Sequence, residues 1–244
     1  MVGTQQTLVG ELLCDSIPVY AGQKVLDVAT GAGNTAIAAA RRGCQVTGID
    51  FVGALLDRGR ERAAAERLKI DFQFGDAAAI PFPDNSFDVV LTTFGAIFAP
   101  DPLQAAKELL RVTRPGGHVG MANWVPDGFV GEMFKVSAAY APPPPNIPPP
   151  ALWGVPDVVR ERFAGARDLR FIERESLMRQ RSPADWVGFM KTYFGPLIRA
   201  HAAAGEKAPQ LTAALIDLAT RYNQAPDGSF FARAKYIEVI AVKA

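Results

Sequence analysis

From Lys24 to Trp124 the chain alternates strand-like and helix-like segments at short, regular intervals, and no other feature restricts its fold so strongly. Lys24–Ala29 (KVLDVA) reads as a buried strand that runs through a turn at Thr30–Gly33 into a helix, Asn34–Arg42. Gln45–Asp50 (QVTGID) is a second strand, followed by a helix with alternating charge at Ala54–Leu68. Ile70–Phe74 (IDFQF) is a third strand, ending in a turn at Gly75–Asp76. Phe87–Thr92 (FDVVLT) is a fourth, apolar enough to be covered on both faces. Pro102–Val112 is an amphipathic helix that meets a stop signal at Arg114-Pro-Gly-Gly117, and His118–Trp124 is a fifth strand. Repeated β-α units of this kind imply an α/β fold with a parallel, doubly wound sheet.

The second half loses that rhythm. Residues 126–156 are dominated by turn formers and by the proline tract Ala141–Pro150 (APPPPNIPPP). Proline fixes φ and removes a backbone donor, so this segment reads as extended backbone. A stiff linker or a docking motif for a proline-recognising module would fit, but its place just past the carboxyl end of a central strand favours a wall beside the active site. A short helix at Pro156–Phe163 precedes a strand at Leu169–Arg179, helices at Pro183–Ala203 and Ala208–Asn223, and a final strand at Ser229–Val242. The expected organisation is one domain in three parts. Residues 1–125 form the cofactor-binding core, 126–168 a proline-rich insertion lining the site, and 169–244 the last two strands with an inserted helical cap.

Composition narrows the function. The chain has 244 residues, 49 % of them hydrophobic and 21 % charged, with a formal net charge of +1. No bulk charge draws it to nucleic acid, and the short arginine clusters at 41–42, 58–62 and 160–162 read as solvated helix faces. No apolar run is long enough to span a bilayer, and the N-terminus lacks the basic region of a signal peptide. Two isolated cysteines, Cys14 and Cys44, suit a reducing compartment, so the cytoplasm is expected. No His, Asp or Glu cluster has the spacing of metal ligands, and no metal is expected.

Open α/β sheets bind ligands at the carboxyl ends of their strands. Four features fall there: Asp27-Val-Ala-Thr-Gly31-Ala-Gly33, Asp50, Gly75-Asp76-Ala77 and Thr92-Thr93-Phe94-Gly95. Gly31 and Gly33 allow a tight turn and a close ligand approach, but alone they match a dinucleotide site equally well. Charge separates the two. A pyrophosphate at the first turn would be repelled by Asp27, whereas a cationic amine and sulfonium, as S-adenosylmethionine carries, would be attracted. Asp50 is placed to accept both ribose hydroxyls, Asp76 to accept from an adenine amino group, and Phe51 and Ala77 to offer apolar faces to the ring. Each aspartate also has a plain structural use, as a cap or a turn residue; all three in register with three strands is the more telling pattern.

The stretches VLDVATGAGN, VTGIDF, FQFGDAAAIPFPDNSFDVV and ELLRVTRPGGHVGMANW closely resemble the class I S-adenosylmethionine-dependent methyltransferases, in the branch that includes the ubiquinone/menaquinone C-methyltransferases. The likeness runs from Val25 to Trp124. It implies a Rossmann-like, seven-stranded, mostly parallel sheet with an antiparallel last strand. It also implies that Thr30–Gly33 contact the methionine part of the cofactor, Asp50 the ribose, and Asp76 with Ala77 the adenine. Thr93 and Phe94 would line the methyl-transfer side. The family's usual first glycine is Ala29 here, and Met1–Tyr20 is short for the lid that many relatives carry.

A small-molecule methyl acceptor is expected. The fourth strand ends in TTFG, which lowers the odds for amino acceptors, and aromatics at the mouth suggest a planar or apolar one. Phe94, Trp124, Trp153 and Tyr193 are the candidate substrate residues; Trp186 and Phe194 fit cap packing and pocket about equally. His118 begins a strand, away from the site, and His201 lies in a cap helix, so no catalytic base is assigned. Two other functions compete: a nicotinamide-dependent oxidoreductase, and a silent protein that binds the cofactor without turnover.

Overall fold

The computed structural model describes residues 6–244. Its centre is a seven-stranded sheet in the order β3-β2-β1-β4-β5-β7-β6. The strands are β1 (Lys24–Val28), β2 (Gln45–Asp50), β3 (Ile70–Phe74), β4 (Phe87–Thr93), β5 (Thr113–Trp124), β6 (Ala166–Gln180) and β7 (Phe230–Lys243). The first five pair in parallel, and β7 runs antiparallel to both neighbours, β5 and β6. The expected α/β sheet with one antiparallel strand is therefore present, and the strand order reverses at β1 and β4.

Alternation along the central strands explains why both faces are covered. Val25, Val89 and Leu91 join one apolar cluster, with Leu13, Ile17, Ala36 and Ala39. Their neighbours Leu26, Val28 and Val90 join the other, with Leu109, Val112 and the cap. Side chains of period two thus reach opposite faces, so a parallel strand here is apolar throughout. The first face carries α1 (Thr7–Ser16), α2 (Asn34–Arg41) and α3 (Gly53–Ala65). On the second lies α4 (Pro102–Val112), whose N-terminus is fixed by Asp101 accepting from the Gln104 N–H at 2.9 Å and by Pro102 in the first turn.

Three departures from the expected elements have local causes. Residues 126–156 are not all turn: α5 (Phe129–Tyr140) occupies the apolar stretch before the prolines. The expected helix 183–203 is two, α7 (Pro183–Tyr193) and α8 (Gly195–Ala204), because Pro196 cannot donate to a continuous ladder. The Arg-Pro-Gly-Gly signal ends α4 but does not delay β5. Phe87 pairs with Thr113 and Val89 with His118, so residues 114–117 bulge out, with Gly116 at φ 71°. Helix α1 packs on α2, with Gly10 close against Thr35; the lid expectation for residues 1–5 lies outside the described residues.

The second half closes over the sheet. A turn at Pro150–Gly154 follows the proline tract and packs against the end of β5 and the turn at Ala96–Phe98. Helices α6 (Pro156–Arg162) and α9 (Ala208–Tyr222) complete the cover with α5, α7 and α8. Cap packing centres on Trp186, fully buried against Phe129 and Phe230. Both cysteines are buried free thiols, and burial pushes Cys14 up to about 12. No helix among the described residues is long and apolar enough to cross a membrane.

Candidate functional site

The turn after β1 is built around a buried carboxylate. Asp27 is 1 % exposed, and its Oδ2 accepts from Thr30 Oγ1 at 2.6 Å and from the Ala36 N–H at 2.9 Å. One oxygen thus ties the turn to the first turn of α2, while Oδ1 is buried with no hydrogen-bond partner. Burial pushes the carboxyl up to about 7, against the lowering effect of those two hydrogen bonds. The turn itself is left-handed at Ala29 (φ 53°), Gly31 (φ 55°) and Gly33 (φ 81°). Only the alanine is strained by this, at roughly 1–2 kcal/mol. At Gly33 an added Cβ would also come within 2.9 Å of the Phe72 ring.

Asp50 links that turn to the next one. Its Oδ2 accepts from the Gly31 N–H and its Oδ1 from the Val52 N–H, each at 2.9 Å. A carboxylate offers about four acceptor positions, so each oxygen keeps capacity for a ligand hydroxyl. Arg62, from α3, donates to the Ala32 carbonyl at 2.6 Å and to Asn34 Oδ1 at 2.7 Å and braces the turn from outside. The helical pattern hid this residue among solvated arginines. After β3, Asp76 accepts from the Ala78 N–H at 2.9 Å through Oδ1. That loop is held by Glu108, which accepts from the Ile80 N–H, and by Arg111, which donates to the Ile80 and Phe82 carbonyls.

These elements enclose a cavity of about 270 Å³ at the carboxyl ends of the strands. One wall is Ala29, Asp50, Phe51, Asp76 and Ala77, all read from the sequence; Phe51 presents an exposed ring (61 %). The rest of the lining includes Gly95, which the sequence places at the end of the fourth strand, with Phe98, Ala99 and Pro100, to which the sequence assigns no role. Their signal was the stretch FGAIFAP itself, small and aromatic residues directly after β4. The volume sits at the low end for ligand pockets, so it suits the nucleoside part of a larger cofactor. Asp27, Thr30, Gly31 and Gly33 form the turn beside it, not its lining.

On the far side of Ala29 the aromatic residues gather. Phe94, at φ 56°, stacks on Trp124 with ring centroids 3.8 Å apart and planes 6° apart, and Tyr236 meets Phe94 edge-on at 5.5 Å. Thr93 shares a hydrogen bond with Thr35 at 2.8 Å. Left-handed conformations at non-glycine residues concentrate at sites under functional constraint, and Ala29 and Phe94 both border this one. Trp153 and Tyr193 are not brought to it. Trp153 is 1 % exposed beneath Arg162, because the turn at 150–154 turns its ring into the core. Tyr193 ends α7 with its ring against Phe189 and 56 % exposed. Trp186 proves to be cap packing. Phe194 packs edge-on to Phe98, between cap and cavity.

Neither histidine borders the cavity. In His201 one ring nitrogen pairs with the Leu197 carbonyl and the other with Thr212 Oγ1. Burial and then Arg114 hold His118 below the usual histidine range, near the bulge at the start of β5.

Comparison with known proteins agrees with this geometry. Residues 25–117 match a family described as a methyltransferase domain. An uncharacterized protein of Mycobacterium tuberculosis is 36 % identical over 222 residues, covering 87 % of this chain and 80 % of its own length. A demethylmenaquinone methyltransferase of Renibacterium salmoninarum is 42 % identical over 113 residues, 46 % of each chain. In fold, the chain is similar to a solved putative methyltransferase from Bacillus halodurans, with a TM-score of 0.66, 21 % identity and coverage of 96 % of this chain and 98 % of that one.

Proposed function

Because this chain belongs to the class I S-adenosylmethionine-dependent methyltransferases, in the menaquinone/ubiquinone-like branch, we propose that it methylates a small, planar and largely apolar metabolite at oxygen or carbon. The observation that carries this reading is the Phe94–Trp124 stack, buried where β4 and β5 end and adjoining Gly95 of the cofactor cavity. The nicotinamide reading loses its support, since the turn that would meet a pyrophosphate is built around the buried carboxylate of Asp27.

The residues of this chain suit the cofactor. Asp50 takes the ribose hydroxyls with its spare acceptor capacity, Asp76 accepts from the adenine amino group, and Phe51, Ala77 and Phe98 face the ring. Asp27 supplies negative charge beneath Thr30–Gly33, where the methionine portion with its ammonium would lie. Bound there, S-adenosylmethionine supplies an electrophilic methyl group on a sulfonium. Thr93 and Phe94 border the transfer side, and the aromatic wall holds the acceptor in line and keeps water out. With neither histidine at the cavity, orientation and desolvation carry most of the rate.

Two measurements test this. Asp50→Ala is expected to weaken S-adenosylhomocysteine binding at least tenfold by calorimetry, about the worth of a charge-assisted hydrogen bond. Unchanged affinity would show that the ribose sits elsewhere. Transfer of a labelled methyl group should occur to planar members of a panel of phenols, quinols and aromatic carboxylic acids. Failure with every member, with cofactor binding intact, would leave a silent cofactor-binding protein.

A further inference from the structure

A second, larger cavity of about 830 Å³ lies between α1 and the edge formed by β6 and β7. It is bordered by the apolar Leu8, Leu12 and Leu177, by charged side chains of both signs such as Glu11, Glu175 and Arg179, and by Tyr236 and Arg174. The register of the antiparallel pair sets Arg174 directly opposite Tyr236. Tyr236 is 1 % exposed, yet its hydroxyl has no hydrogen-bond partner, and neither has the buried Nε of Arg174. A buried donor without a partner costs stability, and here two face each other across one ladder position.

What surrounds them limits what they can hold. Glu238, two residues along β7 and fully buried, stands 3.4 Å from Arg174 Nε and accepts from Ser16 Oγ at 2.6 Å. It offsets the arginine's charge without forming a hydrogen bond to that nitrogen, while Arg174 Nη2 donates to Ser16 Oγ at 3.1 Å and Glu238 Oε1 is itself buried without a partner. Burial, then the nearby Glu238, holds the Tyr236 phenol well above its usual range, so it remains a donor at any working pH. The tyrosine ring, meanwhile, meets Phe94 and Trp124 edge-on, at 5.5 and 6.2 Å. The two free donors therefore adjoin the aromatic wall assigned above to the methyl-transfer side.

We propose that Tyr236 and Arg174 form the polar end of the acceptor site and recognise a hydrogen-bond-accepting oxygen, a carbonyl or its enolate, on a planar apolar molecule that enters between α1 and β6. The inference rests on the reading of Phe94 and Trp124 as the acceptor's wall. Two unpartnered donors favour an accepting oxygen; the acceptor beside them, Glu238 Oε1, is buried without a hydrogen-bond partner, and its carboxylate is paired in charge with Arg174. The leucines at the border of the cavity take the remainder of the molecule.

The test uses the full chain saturated with S-adenosylhomocysteine, and two probes that differ by one oxygen: 1-tetralone and tetralin, its parent hydrocarbon. The wild type is expected to bind the ketone at least tenfold more tightly by calorimetry. Tyr236→Phe keeps the ring and removes only the hydroxyl; it should cut that preference at least threefold and leave S-adenosylhomocysteine affinity unchanged. The ligand-free variant should also melt higher than the wild type, because an unpartnered buried donor is gone. Arg174→Lys, which keeps the charge beside Glu238, should lower the preference as well. Equal binding of the two probes by the wild type, or a preference that survives Tyr236→Phe, overturns the proposal. Loss of S-adenosylhomocysteine binding in the wild type would instead count against the cofactor reading.

Discussion

Gly95→Val is expected to abolish measurable cofactor binding and to lower the melting temperature by about 2–12 °C. A Cβ on Gly95 would stand 2.5 Å from the Ala29 Cβ and 2.7 Å from the Ala29 carbonyl oxygen. Neither is the flexible end of a side chain, so the turn after β1 must move. Overpacking of this kind costs about 1–3 kcal/mol, and in a chain of this size each kcal/mol is worth about 2–4 °C. Function suffers more than stability, because Ala29 and Gly95 touch at the border of the cavity and its shape depends on their contact. Thermal denaturation and calorimetry with S-adenosylhomocysteine give the two numbers. The pair Ala29→Gly with Gly95→Ala should recover part of both relative to Gly95→Ala alone, since one of the two collisions is gone. A Gly95→Val protein that melts and binds like the wild type would mean the two strand ends are farther apart than described.

The second large effect concerns Asp27 and pH. Its carboxyl is raised by burial from the ordinary 3.8 to about 7 in the folded protein. A raised carboxyl stabilises the fold below the unfolded value and loses that contribution as pH climbs to the folded one. The window is therefore about pH 4 to 7, and a displacement of this size corresponds to about 4 kcal/mol at most. Asp27→Asn can keep both hydrogen bonds, because its amide oxygen can accept from Thr30 and Ala36 as Oδ2 does. The stability difference between variant and wild type should accordingly move in the variant's favour by up to that amount between pH 4 and 7.5, while all other carboxylates cancel. Cofactor affinity should show the opposite side of the linkage. An ammonium near Asp27 favours its ionised form, so wild-type binding of S-adenosylhomocysteine strengthens as pH rises from 6 to 8, and the asparagine variant lacks that rise. Parallel pH curves for the two proteins would remove Asp27 from the electrostatics of the site.

Much of this arrangement was legible before any coordinates. The central parallel strands announce themselves because strands covered on both faces are mostly apolar, as in Val89–Leu91 and, interrupted only by Asp27, Val25–Val28. Asp50, Phe51, Asp76 and Ala77 line the cavity because each follows a strand at its carboxyl end, where topology alone brings them together. Asp27 was read as facing the ligand, and its true position is one layer deeper. Sequence places a residue at a strand end but not whether its side chain turns outward or beneath the turn. Helix α5 was missed for a related reason: Gly128 and Gly131 read as turn formers, although Gly131 lies against the backbone of Val125 and Pro126, where no side chain fits. The fate of Trp153 and the pairing of Tyr236 with Arg174 depend on contacts between distant segments, which no local pattern encodes.

The central claim is that the cavity bounded by Asp50, Phe51, Asp76 and Phe98 holds the nucleoside of S-adenosylmethionine. A crystal structure of the chain grown with S-adenosylhomocysteine tests it most directly. The account predicts both ribose hydroxyls on the Asp50 carboxylate, the adenine between Phe51 and Phe98, and the methionine portion over Thr30–Gly33 with its sulfur toward Phe94. A ligand seated elsewhere, for instance in the cavity between α1 and β6, or an Asp50 carboxylate without contact to the ribose, would contradict it.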